Sequence, residues 1–334
     1  MVRTAKAKRP LDLSGGLLLL LALSPLLLAL LLGVEPGRVF ALTLWGVFLG
    51  SVLALGAMGL TLVYGVLRFA NFAHGDLMSL GAYGALLALA LLPLLPQVGP
   101  FSFGFEFLPA LLFAFLFTGL AALLLDRLLY RPLRLRAAPA VILAMMAFAA
   151  AFLVRSLLYL LFGPDFAFYY TGRPRPAVDF LGVPVRPDQF FILGTSLLLV
   201  LLLHLLLTRT KLGKAMRATA DNPELARASG IPTERVAVWT WFLAGGLAGV
   251  AGTLLGLDAQ LRPEMGWFVL LPLFAAVILG GIGNPYGALA GAVVIGVAQQ
   301  VSSSFLNPAY GPGVAFVILI LALFVRPEGL FSRR

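Results

Sequence analysis

Arg68-Phe69-Ala70-Asn71-Phe72-Ala73-His74-Gly75-Asp76 interrupts this chain between two apolar segments, 40–67 and 77–95, each long enough to cross a membrane. Arg68, His74 and Asp76 carry charge or can acquire it. At the centre of a bilayer each such group costs about 2.5–3.5 kcal/mol even on a lenient scale. A chain that keeps three of them beside apolar helices either surfaces there or builds a polar site inside the protein. The run therefore marks both a helix break and the first place to look for function.

Outward from it, 61% of the 334 residues are hydrophobic and only 11% charged, which excludes an ordinary soluble domain. Apolar stretches recur at 16–33, 40–67, 77–95, 107–129, 139–161, 190–208, 236–257, 267–283, 286–306 and 311–326. They are rich in Leu, Ala and Gly and lack two-residue alternation, so a membrane barrel is excluded. The fold class expected is all-α: one polytopic integral-membrane helical bundle over 1–334, with about eight to ten transmembrane helices, some broken or re-entrant.

The net charge of +10 suggests nucleic acid at first sight, but its distribution points elsewhere. With the N-terminus inside and strict alternation, 18 of the 24 Lys and Arg fall on one side: the basic segment 1–15, Arg68, the 127–136 corner, the loop 209–235 and the C-terminus. That is the positive-inside pattern, and it leaves no surplus for a nucleic-acid partner. Arg3, Lys6, Lys8 and Arg9 before 16–33 resemble the start of a signal peptide. The apolar stretch is too long and no A-x-A-like site follows, so a retained first helix is expected. Zero cysteines exclude disulfides and thiolate chemistry.

Two polar stretches stand out by length. Segment 163–189, assigned outside, is rich in Pro and aromatic residues and reads as an interfacial belt, a docking surface or a passive loop. Segment 209–235, assigned to the cytoplasm, carries helix punctuation: Asn222-Pro223 as cap and first residue, then Gly230 as a stop with Pro232 beyond. Pro223–Ser229 should be one short helix and 212–220 another. Two such turns are not stable alone; they need a protein partner or a lipid surface.

Gly245, Gly249, Gly252 and Gly256 share one helix face, as do Gly283, Gly287 and Gly291. Small residues let helices approach closely in lipid, so these stripes read as seams within the subunit or at a dimer interface, or as the lining of a path. Gly280-Gly281-Ile282-Gly283-Asn284-Pro285 is a second break, again with a cap and a proline at a helix start. Paired breaks point to a transporter's central site; near one membrane face they are also consistent with plain tight turns. His74 reads as a relay, a substrate contact or local capping. Asp258 reads as interfacial, and Arg155, alone within a span, as snorkelling or paired internally. No G-x-x-x-x-G-K-[ST] loop occurs, and with two histidines and no cysteine no metal site is apparent. An enzyme is not expected.

Gly59-Leu60-Thr61-Leu62-Val63-Tyr64-Gly65, Asn71 through Asp76 and Gly81-Ala82-Tyr83 resemble the branched-chain amino acid ABC transporter permeases, in particular the first of that system's two permease types. Gly280–Pro285 with Gly287-Ala288 resembles the family's glycine-rich element, and Gly213–Pro232 its cytoplasmic coupling segment. The resemblance implies an importer of this permease, a second permease, two ATPase subunits that bind ATP and magnesium, and an extracytoplasmic binding protein. This chain itself would hold no cofactor. It would sit among lipids of a bacterial or archaeal plasma membrane with both termini cytoplasmic. Tyr64, Asn71, Phe72, His74, Asp76, Tyr83, Asn284 and Tyr286 become substrate-path candidates. Arg217, Asp221, Asn222, Pro223, Glu224, Ala228, Gly230 and Ile231 become ATPase-coupling candidates. Urea, amides or another small polar solute remain alternative cargoes. An ion-coupled transporter or channel acting alone is the alternative of another class.

Overall fold

The computed structural model describes residues 23–93, 96–170, 175–326 and 329–331. In chain order the elements are α1 (Ser24–Leu31), α2 (Pro36–Leu67), α3 (His74–Leu91) and α4 (Phe107–Leu125). The last continues through a π-helical turn (Asp126–Tyr130) into α5 (Arg131–Leu135). Next come α6 (Ala140–Phe162), a hairpin of β1 (Val178–Phe180) and β2 (Val183–Val185), α7 (Pro187–Arg209), α8 (Lys211–Asp221) and α9 (Pro223–Ala228). The chain ends with α10 (Thr233–Asp258), α11 (Met265–Gly280), α12 (Pro285–Ser302) and α13 (Gly311–Val325). The basic segment 1–15 and the start of the expected first helix lie outside the described residues.

Seven helices among the described residues are long and apolar enough to cross a membrane: α2, α3, the continuous Phe107–Leu135, α6, α7, α10 and Pro308–Val325. α11 and α12 are shorter or less apolar, about 24 and 27 Å long, and pack against each other as an antiparallel pair. This is the polytopic helical bundle that the composition requires. α10 is its central pillar. Of its apolar window 83% is buried inside the protein, against 22% for α7 and for the last span, which present leucines outward.

Glycine makes that pillar possible, because lipid supplies no hydrophobic push between helices and close backbone contact must replace it. A Cβ on Gly252 would overlap the carbonyl of Met78 in α3, and Gly245 and Gly249 lie against Thr118 and Ala114 of α4. The α10 stripe is thus a seam inside the subunit, neither a dimer face nor a path lining. The Gly280–Gly287 contact seals α11 against α12 in the same way.

Two ends can be told apart. At the basic end Arg68 donates to the Ala220 carbonyl and Arg131 pairs with Glu234 at 3.4 Å. At the hairpin end Trp45 Nε1 donates to Pro184 O, 3.2 Å, and Phe48 packs on Val183 and Val185. The described residues of segment 163–189 are therefore built in rather than passive: Ala167 pairs with Leu261, and the Tyr169 hydroxyl donates to Ala82 O at 2.9 Å.

Candidate functional site

The break at 68–73 is not a surface turn. α2 is 32 residues long, about 48 Å of rise, and ends at the basic end with Arg68 in the left-handed region, φ 58°. The chain then climbs back into the bundle. Phe69 packs against both Tyr130 and Trp241, whose rings stack on each other at 4.8 Å. Asn71 Oδ1 accepts from the Ala73 amide at 3.1 Å. α3 begins with His74, fully buried, whose Nε2 donates to Gly56 O at 2.8 Å. Gly56 lies eleven residues before the end of α2, so α3 starts about 16 Å above the basic end. Alternation along the sequence assigns this break to the face; the structure shows it starting there and ending mid-bundle. Neither His74 nor Asp76 caps its helix.

Asp76, in the first turn of α3 and 0% exposed, meets Arg155 of α6 in a two-pronged ion pair of 2.8 and 3.0 Å. Its negative charge suits a helix N-terminus. Neither charge is tolerable alone at this depth, and removing one partner of such a pair typically costs about 3–5 kcal/mol. The Arg155 guanidinium also lies over Trp267 of α11 at 4.5 Å and over Phe152 at 5.4 Å.

These groups lie where side chains join α6 to α11, and the contacts there are layered. Above the pair the Tyr159 hydroxyl donates to the Glu264 carboxylate. Below it Phe72 packs on Phe148 of α6 and Phe274 of α11, with ring centroids at 6.2 and 5.2 Å. Phe148 also meets Trp267 at 5.7 Å. Tyr83 lies two turns along α3 from Asp76, 2% exposed and against Phe162 of α6. Sequence reading finds Arg155 as a lone charge in an apolar span but not its partner. Trp267, Tyr159 and Glu264 carry no sequence signal beyond being aromatic or near a loop.

The other candidates separate. Tyr64 caps the end of α2 through its carbonyl. Asn284 is the N-cap of α12, accepting from the Tyr286 and Gly287 amides, and its amide donates to Phe331 O. Tyr286 is 43% exposed and shares a 2.8 Å hydrogen bond with His204 of α7. The Gly283 amide donates to Thr61 near the end of α2, so the 280–285 break is a tight turn at the basic end. It does not meet the Asp76 layer.

The α8–α9 loop forms as its punctuation requires. Asn222 Oδ1 accepts from the Glu224 and Leu225 amides at 3.0 Å each. Gly230 takes φ +84°, and the Ile231 amide donates to Ala226 O, a helix-terminating pattern only glycine enters without strain. Arg217, Asp221, Asn222, Glu224, Ala228 and Gly230 are exposed, while Pro223 and Ile231 are half-buried. Leu225 stands 63% exposed on the same short helix.

Residues 42–323 match the family described as "Branched-chain amino acid transport system / permease component". The high-affinity branched-chain amino acid transport system permease protein LivH of Escherichia coli K12 is 31% identical over 294 residues, 86% of this chain and 94% of that protein. The probable branched-chain amino acid transport permease protein LivH of Methanocaldococcus jannaschii is also 31% identical, covering 84% and 88%. LivM of Salmonella typhimurium, the permease protein of a high-affinity branched-chain amino acid transport system, is 28% identical over 159 residues, 46% of this chain and 37% of that protein. The break, the ion pair and the capped loop all fall inside the matched span, and this chain belongs to the branched-chain amino acid transport permease family.

Proposed function

We propose that this chain is one of two membrane-spanning subunits of an importer that moves branched-chain amino acids and is driven by ATP hydrolysis in separate subunits. An extracytoplasmic binding protein delivers the solute to the hairpin end; the basic end faces the cytoplasm of a plasma membrane. The observation that carries this reading is the α8–α9 loop. A six-residue helix has no stability of its own, yet this one is capped at both ends and holds Leu225 outward. A channel acting alone has no need of such a projection, whereas a subunit that must be gripped from outside does.

The path of force follows from the hydrogen bonds. A push on α9 reaches α8, whose Ala220 carbonyl accepts from Arg68. Arg68 begins the segment that climbs to His74 and Asp76, so displacement at the loop is passed to the buried start of α3. ATP-driven closure of the partner subunits would shift the bundle between two packings, open to one side or the other. The test is reconstitution in liposomes of this chain with a second permease, ATPase subunits and binding protein. ATP-dependent leucine uptake that requires every component supports the proposal; uptake or ion current by this chain alone overturns it.

A further inference from the structure

We infer that Asp76 and Arg155 are the seat through which a zwitterionic α-amino acid passes, with Arg155 taking the carboxylate and Asp76 the α-ammonium group as the pair parts. This rests on the import reading above and names the site within it. Four observations lead there.

The pair is deep: Asp76 is fully buried, and Arg155 lies fifteen residues into the 23-residue α6. It is not sealed, because the Arg155 side chain keeps 13% exposure. It is closed on both sides, by Tyr159–Glu264 one turn above and by Phe72, Phe148 and Phe274 about two turns below. And its walls are flat and apolar, with Phe152 and Trp267 flanking the guanidinium. The two helices can part, since α6 packs chiefly on α3 and is bridged to α11 mainly by these side chains.

The chemistry then selects the solute. A buried ion pair cannot open among apolar side chains unless each charge is given a new partner. A zwitterion brings one of each sign, so one ion pair becomes two and the net charge of the layer does not change. A planar guanidinium seats a carboxylate with two parallel hydrogen bonds. An aliphatic side chain would lie against Phe148, Phe152 and Trp267. Urea, an amide or a sugar offers no charge to either group and leaves the pair shut. The next carboxylate, Glu264, is already held by Tyr159 and lies 3.9 Å from Arg262. Gate and selectivity are then the same two side chains, and re-formation of the pair expels the solute.

The experiment uses the complete complex in liposomes and measures leucine uptake, with co-purification of the partners as the check on assembly. Arg155→Lys keeps the charge and an ion pair with Asp76 but loses the two-pronged seat; uptake should fall at least tenfold in a complex that assembles in normal yield. The reversed pair Asp76→Arg with Arg155→Asp restores attraction across α3 and α6 with the receptors exchanged, and should not restore uptake. A fall of less than tenfold in Arg155→Lys, or uptake recovered in the reversed pair, would show a purely structural clamp and overturn the inference. A wild-type complex that imports no amino acid would instead count against the import reading itself.

Discussion

Gly230→Val isolates the coupling helix from everything else in the bundle. Gly230 sits at φ +84°, and a Cβ there would meet nothing within 4 Å, so the substitution adds no clash and acts through the backbone alone. Holding an L-residue in the left-handed region costs about 1–2 kcal/mol, and a β-branched side chain lies at the upper end. That is a factor of about 5–30 in the population of an unwound α9 terminus. A six-residue helix has no reserve against it: its other end depends on the Asn222 cap and its exit on the Ile231–Ala226 hydrogen bond. The bundle should keep its stability, because Gly230 is exposed. The assay is leucine imported per ATP hydrolysed in reconstituted complex. The ratio should fall about five- to thirtyfold for Val and far less for Gly230→Asn, since asparagine tolerates the left-handed region. A Val variant with the wild-type ratio, or Val and Asn alike, would refute the assignment of α9 as the coupling contact.

Arg68→Met should leave the fold in place, because Arg68 is exposed, while removing the hydrogen bond to Ala220 that ties α8 to the break; the import-to-hydrolysis ratio should drop about fivefold, the worth of about 1 kcal/mol, and an unchanged ratio would remove Arg68 from the path of force. Gly252→Leu forces a side chain into the α3 backbone at Met78, an overpacking cost of about 1–3 kcal/mol or more. Its yield in detergent and its melting temperature should both fall sharply, whereas Gly194→Leu, open on the surface of α7, should change neither.

Much of this molecule can be read from the chain, for identifiable reasons. Asn222, Asn284 and Gly230 announce helix ends because capping is local chemistry, and each does in the structure what its position implies. The glycine stripe on α10 announces a seam because lipid leaves close packing as the means of association. The depth of the 68–76 break was not legible. It depends on how steeply the chain climbs after Leu67, which is set by Phe69 lodging against the stacked pair Tyr130 and Trp241, residues some 60 and 170 positions away. The partner of Arg155 was hidden for the same reason: an ion pair across 79 positions leaves no spacing to read. For Asn284 and Tyr286 the cap-and-proline signature is common to a break that lines a path and to the tight turn that they form at one end of the bundle. The π-helical turn at Asp126–Tyr130, which swings Tyr130 onto Trp241, has no local marker.

The chain has no cysteine, so a single introduced thiol reports its own surroundings without background. Leu225→Cys on α9 and Leu181→Cys, 74% exposed at the tip of the β1–β2 hairpin, can each be exposed to a membrane-impermeant thiol reagent in intact cells and in inverted vesicles. Labelling of position 225 only from the cytoplasmic side, and its protection when the ATPase subunits are bound, is the expected result, with position 181 labelled only from outside. Position 225 labelled from outside the cell, or equally exposed with and without the ATPase subunits, would contradict an importer driven through this loop.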